Sequence, residues 1–282
     1  MPGRRRGTRD VRSVRSGSAV MTPLDQAHEA METAPGDDAA RLRFYGQLAD
    51  GELFLLLESE PEDETLTPQL FELEEGPVVL AFDLEERLAA FTGVPAPYAA
   101  LPGRVVAGLL AGRGIGLGLN LGDAPSAMLL PPEAVDWLAE TISHAPSEAE
   151  ARPAGFAPPQ LPEPLITALD GKLARAGGLA GHALLAAVRY EDGREAHMLA
   201  FVEALDGAQP ALARAVSEAL TFSGLEAGTL DVAFLAEGDP AAVAMARVGL
   251  RFDLPVPAAP ELREEHVPAA PGMDPERPPI LK

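Results

Sequence analysis

The sequence predicts an α+β protein of two small α/β sandwich domains, each with a mixed or mainly antiparallel sheet and helices packed on it. Three observations carry that expectation. Short apolar runs of strand length alternate with stretches whose apolar residues recur at helical spacing. A proline cluster, Pro146, Pro153, Pro158, Pro159, Pro162 and Pro164, separates two such regions of roughly 100 to 125 residues, near the commonest domain size. The 282 residues, 47% of them hydrophobic, supply apolar material for two cores.

The expected layout is a disordered basic extension over 1–20, a first domain over 21–145, a proline-rich linker over 146–162, a second domain over 163–254 and a disordered proline-rich tail over 255–282. The extension holds six Arg and one Asp, so it carries about +5 before a remainder of about −26. No apolar core follows Arg4, Arg5 and Arg6, which argues against an export signal. A start at Met21, or an Arg- and Ser-rich transit peptide, are the other readings of this end.

In the first region, residues 24–34 and 38–49 read as helices, and the run Leu53 to Leu57 as a strand starting after Asp50-Gly51. Glu58, Glu60, Glu62, Asp63 and Glu64 read as a solvated loop rather than a cation site, since no calcium-loop spacing is present. Strands follow at 69–73 and 78–82, then a helix over 84–90, an extended piece over 91–98 and a helical turn. In the glycine-rich stretch 112–122, Ile115, Leu117, Leu119 and Leu121 would share one strand face, leaving Gly114, Gly116, Gly118 and Asn120 on a bare one. Both dinucleotide frames fail: the position needing a third glycine is Leu117 or Leu119. Residues 126–130 read as a further strand, and Pro131-Pro132-Glu133 opens a helix with Val135, Leu138 and Ile142 inward. Trp137, at the border of that stripe, reads as core or domain-interface packing.

The second region opens with a helix carrying Leu165, Leu169 and Leu173. A hairpin of strands 182–190 and 195–205, turning at Asp192-Gly193, would pair Val188 with His197, Leu184 with Phe201 and His182 with Glu203. Both faces are apolar, so helices should cover one, and more chain or a second subunit the other; a homodimer is thus open. A helix through Leu212, Val216 and Leu220, a strand over 230–235 and a helix over 240–248 complete the order.

A net charge of −21 argues against nucleic acid and anionic membranes as partners. No apolar run reaches the ~20 residues needed to span a bilayer. Without cysteine there is no disulfide, thiolate nucleophile or cysteine-held zinc, which suits a cytoplasmic setting. His28, His144, His182, His197 and His266 contain no metal-binding helix motif. His182 with Glu203 reads as a cross-strand pair rather than a base with its orienter. Catalytic, cofactor-binding and metal residues are therefore all assigned as none, and no cofactor is expected.

The segment Leu80-Ala81-Phe82-Asp83-Leu84-Glu85-Glu86-Arg87-Leu88 resembles the strand-then-helix segment, Phe-Thr-Ser followed by a helix, of the enhanced serine sensitivity family, SseB. Gly116-Leu117-Gly118-Leu119-Asn120-Leu121 with Pro131-Pro132-Glu133-Ala134-Val135 is similar to its glycine-and-asparagine strand and proline-led helix. Pro164 to Leu169, the long hairpin and Thr229-Leu230-Asp231-Val232 resemble its C-terminal domain. The resemblance spans about residues 25 to 252. Phe82-Asp83-Leu84 departs from Phe-Thr-Ser, and Arg251-Phe252-Asp253 stands where the family often ends on Phe-Tyr. The resemblance implies a two-domain cytoplasmic bacterial protein linked to serine sensitivity, with no established reaction and no site residue to carry over. The expected function is non-enzymatic, through a protein partner or a small metabolite. The alternative is a hydrolase or transferase with a shallow site by the bare face of 112–122 around Asn120, using Asp123 or Glu133.

Overall fold

The computed structural model describes residues 20–60, 66–74, 76–144, 151–224 and 230–256. The expectations for residues 1–19, for the centre of the acidic loop at 61–65 and for the tail from 257 lie outside these residues.

The first lobe runs α1 (Pro23–Thr33), α2 (Asp38–Asp50), β1 (Glu52–Leu56), β2 (Leu70–Leu73), β3 (Gly76–Phe82), α3 (Glu85–Thr92), β4 (Tyr98–Pro102), α4 (Gly103–Leu110), β5 (Gly116–Leu119), β6 (Met128–Leu130) and α5 (Pro132–Ser143). Thr22 and Asp25 cap α1 reciprocally, and Pro23 starts it. The sheet order is β4-β1-β3-β5-β6, with β2 beside β3. Only β3 and β5 run parallel, so the sheet is mixed. Leu53, Leu55, Leu57, Val79, Ala81, Leu117 and Leu119 pack one face against α1, α2, α4 and α5. Leu56, Val78, Leu80 and Phe82 pack the other against Leu88 of α3. The piece expected to be extended from residue 91 is helical to Thr92, where Gly93 at φ +66° ends α3.

The second lobe runs β7 (Pro153–Ala157), α6 (Glu163–Leu173), β8 (His182–Tyr190), β9 (Glu195–Val202), a 3-10 turn, α7 (Gln209–Ser223), β10 (Leu230–Leu235), α8 (Pro240–Val248) and β11 (Leu250–Asp253). Its sheet order is β10-β9-β8-β11, with β7 also on β8. Within the stretch expected as a linker, residues 153–157 form β7 and add a strand to this sheet. β7 and β11 lie end to end on one edge of β8, at residues 187–190 and 182–185. Proline at an edge strand's first position costs no ladder bond, which is how Pro153 fits.

The hairpin register differs from the expected one by a single residue: His182 pairs with Val202, Leu184 with Ala200 and Val188 with Ala196. The turn is a three-residue loop. Gly193 N–H donates to the Tyr190 carbonyl at 3.0 Å, Tyr190 N–H donates to the Arg194 carbonyl at 2.9 Å, and Gly193 sits at φ +87°. The slip exchanges the faces of β9, so Phe201 joins Ala183, Leu185 and Leu199 under α6 and α7. Leu184, Ala186, Val188, Met198 and Val202 pack under Ala242 and Met245 of α8. More chain therefore covers the second face.

The lobes share a junction. Phe222 of α7 is buried in the first lobe's core, next to Gly46, whose added Cβ would lie 3.0 Å from the Phe222 Cβ. Gly224 at φ +68° brings the end of α7 so close to α2 that an added Cβ would lie 2.4 Å from the Ala39 Cα. Beside this contact Arg104 donates to Glu218 through both Nη atoms, each at 2.9 Å, while Lys172 bridges Glu218 at 2.6 Å and Asp50 at 2.8 Å. Arg175 reaches Asp50 at 2.7 Å.

Candidate functional site

Polar side chains converge in three places. The first is at the N-terminal turn of α1. Asp25, fully buried, accepts from Thr22 N–H at 3.0 Å, from the Ser126 hydroxyl at 2.6 Å and from both Nη atoms of Arg87. Arg87 Nη1 also donates to Asp83 at 2.7 Å, whose second oxygen accepts from the Thr22 hydroxyl at 2.6 Å. Asn120 accepts from Asp83 N–H at 2.9 Å and donates to Ser126 at 2.8 Å. Burial pushes the Asp25 carboxyl up, but the hydrogen bonds from Arg87, Ser126 and Thr22 outweigh it and hold the group well below the usual carboxylate range. Every member is occupied by another, so the arrangement ties α1, α3 and the β5–β6 turn together.

The second place is the junction cluster. Burial raises the Asp50 and Glu218 carboxyls, and the cations of Lys172, Arg104 and Arg175 more than reverse this, leaving both lowered. These groups too are paired.

The third is an open groove of about 590 Å³ on the second sheet, lined from β7, β8 and β9 and from Pro158 and Gln160. Ala157 and Ala187 lie in one cross-strand row with His197, and Gly155 and Arg189 in the next with Glu195. The two rows share a face, so the floor is of small residues with charged and imidazole side chains along it. Gln160 N–H donates to His197 Nε2 at 3.2 Å, which leaves the ring proton of the neutral tautomer on Nδ1. Burial pulls the His197 pKa down, keeping that ring neutral at pH 7. Neither Arg189 nor Glu195 forms an ion pair among the described residues.

The glycine-rich strand is filled rather than bare. A Cβ on Gly118 would lie 2.5 Å from Leu80 Cδ2 and 2.9 Å from Leu121 Cδ1, and one on Gly116 would lie 2.8 Å from the Leu130 carbonyl. Leu121 is thus not on the face of Leu117 and Leu119 as expected. Asn120 takes a left-handed turn at φ 49° and swings Leu121 over the glycines, into the cluster with Leu80 and Phe82. Asp123 and Glu133 are exposed beyond it.

His182 does not face Glu203. Its partner is Val202, while Glu203 Oε1 accepts from Glu237 N–H at 2.6 Å. Trp137 is 39% exposed and meets Tyr45 edge-on at 5.0 Å, so it lies across α2 and α5 at the surface. His28 packs edge-on against Phe44, His144 bonds the Glu140 carbonyl, and His266 lies outside the described residues. Among the described residues no group of three or more potential ligands is placed to hold a metal ion, and no helix is long and apolar enough to cross a membrane.

Sequence reasoning missed the Asp25–Arg87–Asp83 cluster and the groove. The first had a signal, since Thr22-Pro23-Leu24-Asp25 is a capping box and Asp83 and Arg87 stand four apart. The groove had little, because β7 lies among prolines.

Comparison with known proteins completes the picture. No curated protein and no solved structure matches the chain. Residues 24–137, nearly the whole first lobe including the Asp25 cluster and the filled glycine strand, match the family model of the SseB protein N-terminal domain, so it is the first lobe that is similar to that family.

Proposed function

We propose that this chain is a non-enzymatic SseB-like protein that senses a small metabolite in the groove over β7, β8 and β9. The groove carries the reading. At about 590 Å³ it falls in the ordinary range of small-molecule sites, and it holds a cation, an anion and a neutral imidazole on a floor of small side chains. The paired state of the Asp25 and Glu218 clusters supports the same reading, because their charges serve packing. The SseB-like nature of the second lobe, a bacterial cytoplasmic setting and a link to serine sensitivity follow from the family resemblance and belong to the proposal.

The test is amide NMR of the full chain titrated with pools of small metabolites. Shifts confined to Gly155, Ala157, Ala187 and His197 support the reading; pools that leave these signals in place while the fold is intact overturn it.

Contact with a partner protein is the second reading. Val105 and Leu109, one turn apart on α4, are 41% and 37% exposed and give it an apolar stripe. Pull-down with the chain and a Val105→Glu, Leu109→Glu variant tests it, and equal capture by both counts against that stripe.

A further inference from the structure

From the placement of Arg189, Glu195 and His197 we infer that the groove's ligand is a zwitterion of the α-amino acid type, its carboxylate met by Arg189 and the His197 Nδ1–H and its ammonium by Glu195. This rests on the groove being a binding site, as proposed above, and adds the ligand's chemical class.

Arg189 and Glu195 are direct cross-strand partners, and His197 follows Glu195 two residues along β9 on the same face. Directly opposite positions put Cβ atoms about 5 Å apart and same-face neighbours along a strand about 7 Å apart. All three side chains therefore reach one small volume. That volume lies above Ala187, the position opposite His197, and above Ala157 next to it on β7. An alanine methyl at both positions leaves open the space that longer side chains would fill.

The protonation states suit such a ligand. Gln160 N–H holds His197 Nε2 as an acceptor, so the ring offers only its Nδ1–H to a guest, and burial keeps it from charging. A guanidinium and an N–H donor on one side and a carboxylate on the other match the two ends of a zwitterion. A simple anion would face Glu195, and a simple cation would face Arg189. The side chain of the guest would lie along Ala157 and Pro158, which line the groove with apolar atoms and few specific contacts. Selectivity among amino acids is accordingly expected to be broad.

Calorimetry and amide NMR of the full chain with L-alanine and L-leucine test the inference, beside N-acetyl-L-leucine, which lacks the ammonium, and L-leucinamide, which lacks the carboxylate. The expected result is binding of the free amino acids with shifts at Ala157, Ala187 and His197, about tenfold weaker binding of each blocked compound, and about tenfold loss in Arg189→Ala and in Glu195→Gln. Both variants change exposed side chains, and unchanged circular dichroism verifies their folding. If the blocked compounds bind as tightly as L-leucine in the groove, the zwitterion assignment is overturned while the groove remains a site. If neither amino acids nor blocked compounds move the groove signals but another metabolite does, the ligand class is wrong. If nothing moves them, the binding reading falls and the inference with it.

Discussion

Arg87 holds Asp25 with both ends of its guanidinium, joining helix α3 to the first turn of α1 across 62 residues of chain. The pair is a charge-assisted fork on a carboxylate that has no contact with solvent.

Arg87→Met should therefore cost about 3 to 5 kcal/mol, the range for leaving a buried charge without its partner. Asp83, also held by Arg87, would then face Asp25 without a cation between them. Urea unfolding of the variant against the parent measures the loss, and a change below about 1 kcal/mol would show that the fork is dispensable.

Acid should weaken the protein through the same groups. The Asp25, Asp50 and Glu218 carboxyls are all lowered in the folded state, so unfolding makes them easier to protonate. Their contribution is complete above the unfolded values of about 4 and is lost as pH falls below them toward the folded values. The urea midpoint is expected to drop between about pH 5 and pH 3, and Asp25→Asn, less stable at neutral pH, should show a shallower drop.

Two glycines of α4 give opposite expectations. A Cβ on Gly103 would sit 1.8 Å from the Leu48 carbonyl oxygen, whereas Gly108 has nothing within 4 Å. Gly103→Ala should destabilise by about 3 kcal/mol, because backbone of α2 must move. Gly108→Ala should stabilise by about 0.5 to 1 kcal/mol through helix propensity. Thermal unfolding of the two single variants checks both signs.

Phe222 belongs to the second lobe by sequence and to the first lobe's core by position. Phe222→Ala is expected to cost about 3 to 5 kcal/mol and to speed hydrogen exchange in α2 and β1. Faster exchange confined to α6, α7 and the second sheet would contradict this placement.

Tyr190 should ionise late. Burial first, and then its hydrogen bond to Asp231 at 2.6 Å, push the phenol up to about 12. Since the folded value lies above the unfolded one of about 10, this group favours folding below that pH and its contribution is lost as pH rises through 12. A tyrosinate absorbance titration should show one phenol lagging the others, and Asp231→Asn should bring it back toward 10.

Much of the fold was legible because apolar spacing dominates it: α1, α2, β1, β3, α5 and α8 stand within a residue or two of where periodicity puts them. What escaped depended on long-range fit. β7 reads as linker by its prolines and glycine, and only the free edge of β8 makes it a strand. The hairpin register turned on whether Glu191 belongs to the loop, a choice that the dipeptide Asp192-Gly193 leaves open and the three-residue turn decides. The buried polar cluster was half legible, as a capping box and an i, i+4 pair. Their meeting with Asn120 and Ser126 needed the tertiary structure.

The backward step of the chain at Asn120 has an evolutionary corollary. Were the torsion there ordinary, the strand would continue, Leu121 would join the helical layer, and the hollow above Gly118 would open to water. The same residue's amide bridges Ser126 and the Asp83 backbone, so glycine could supply the torsion but not the bridge, and aspartate the torsion but not the N–H donor. Natural variants of this lobe should accordingly be invariant in asparagine there, while drifting freely at Asp123 and Pro125 just downstream.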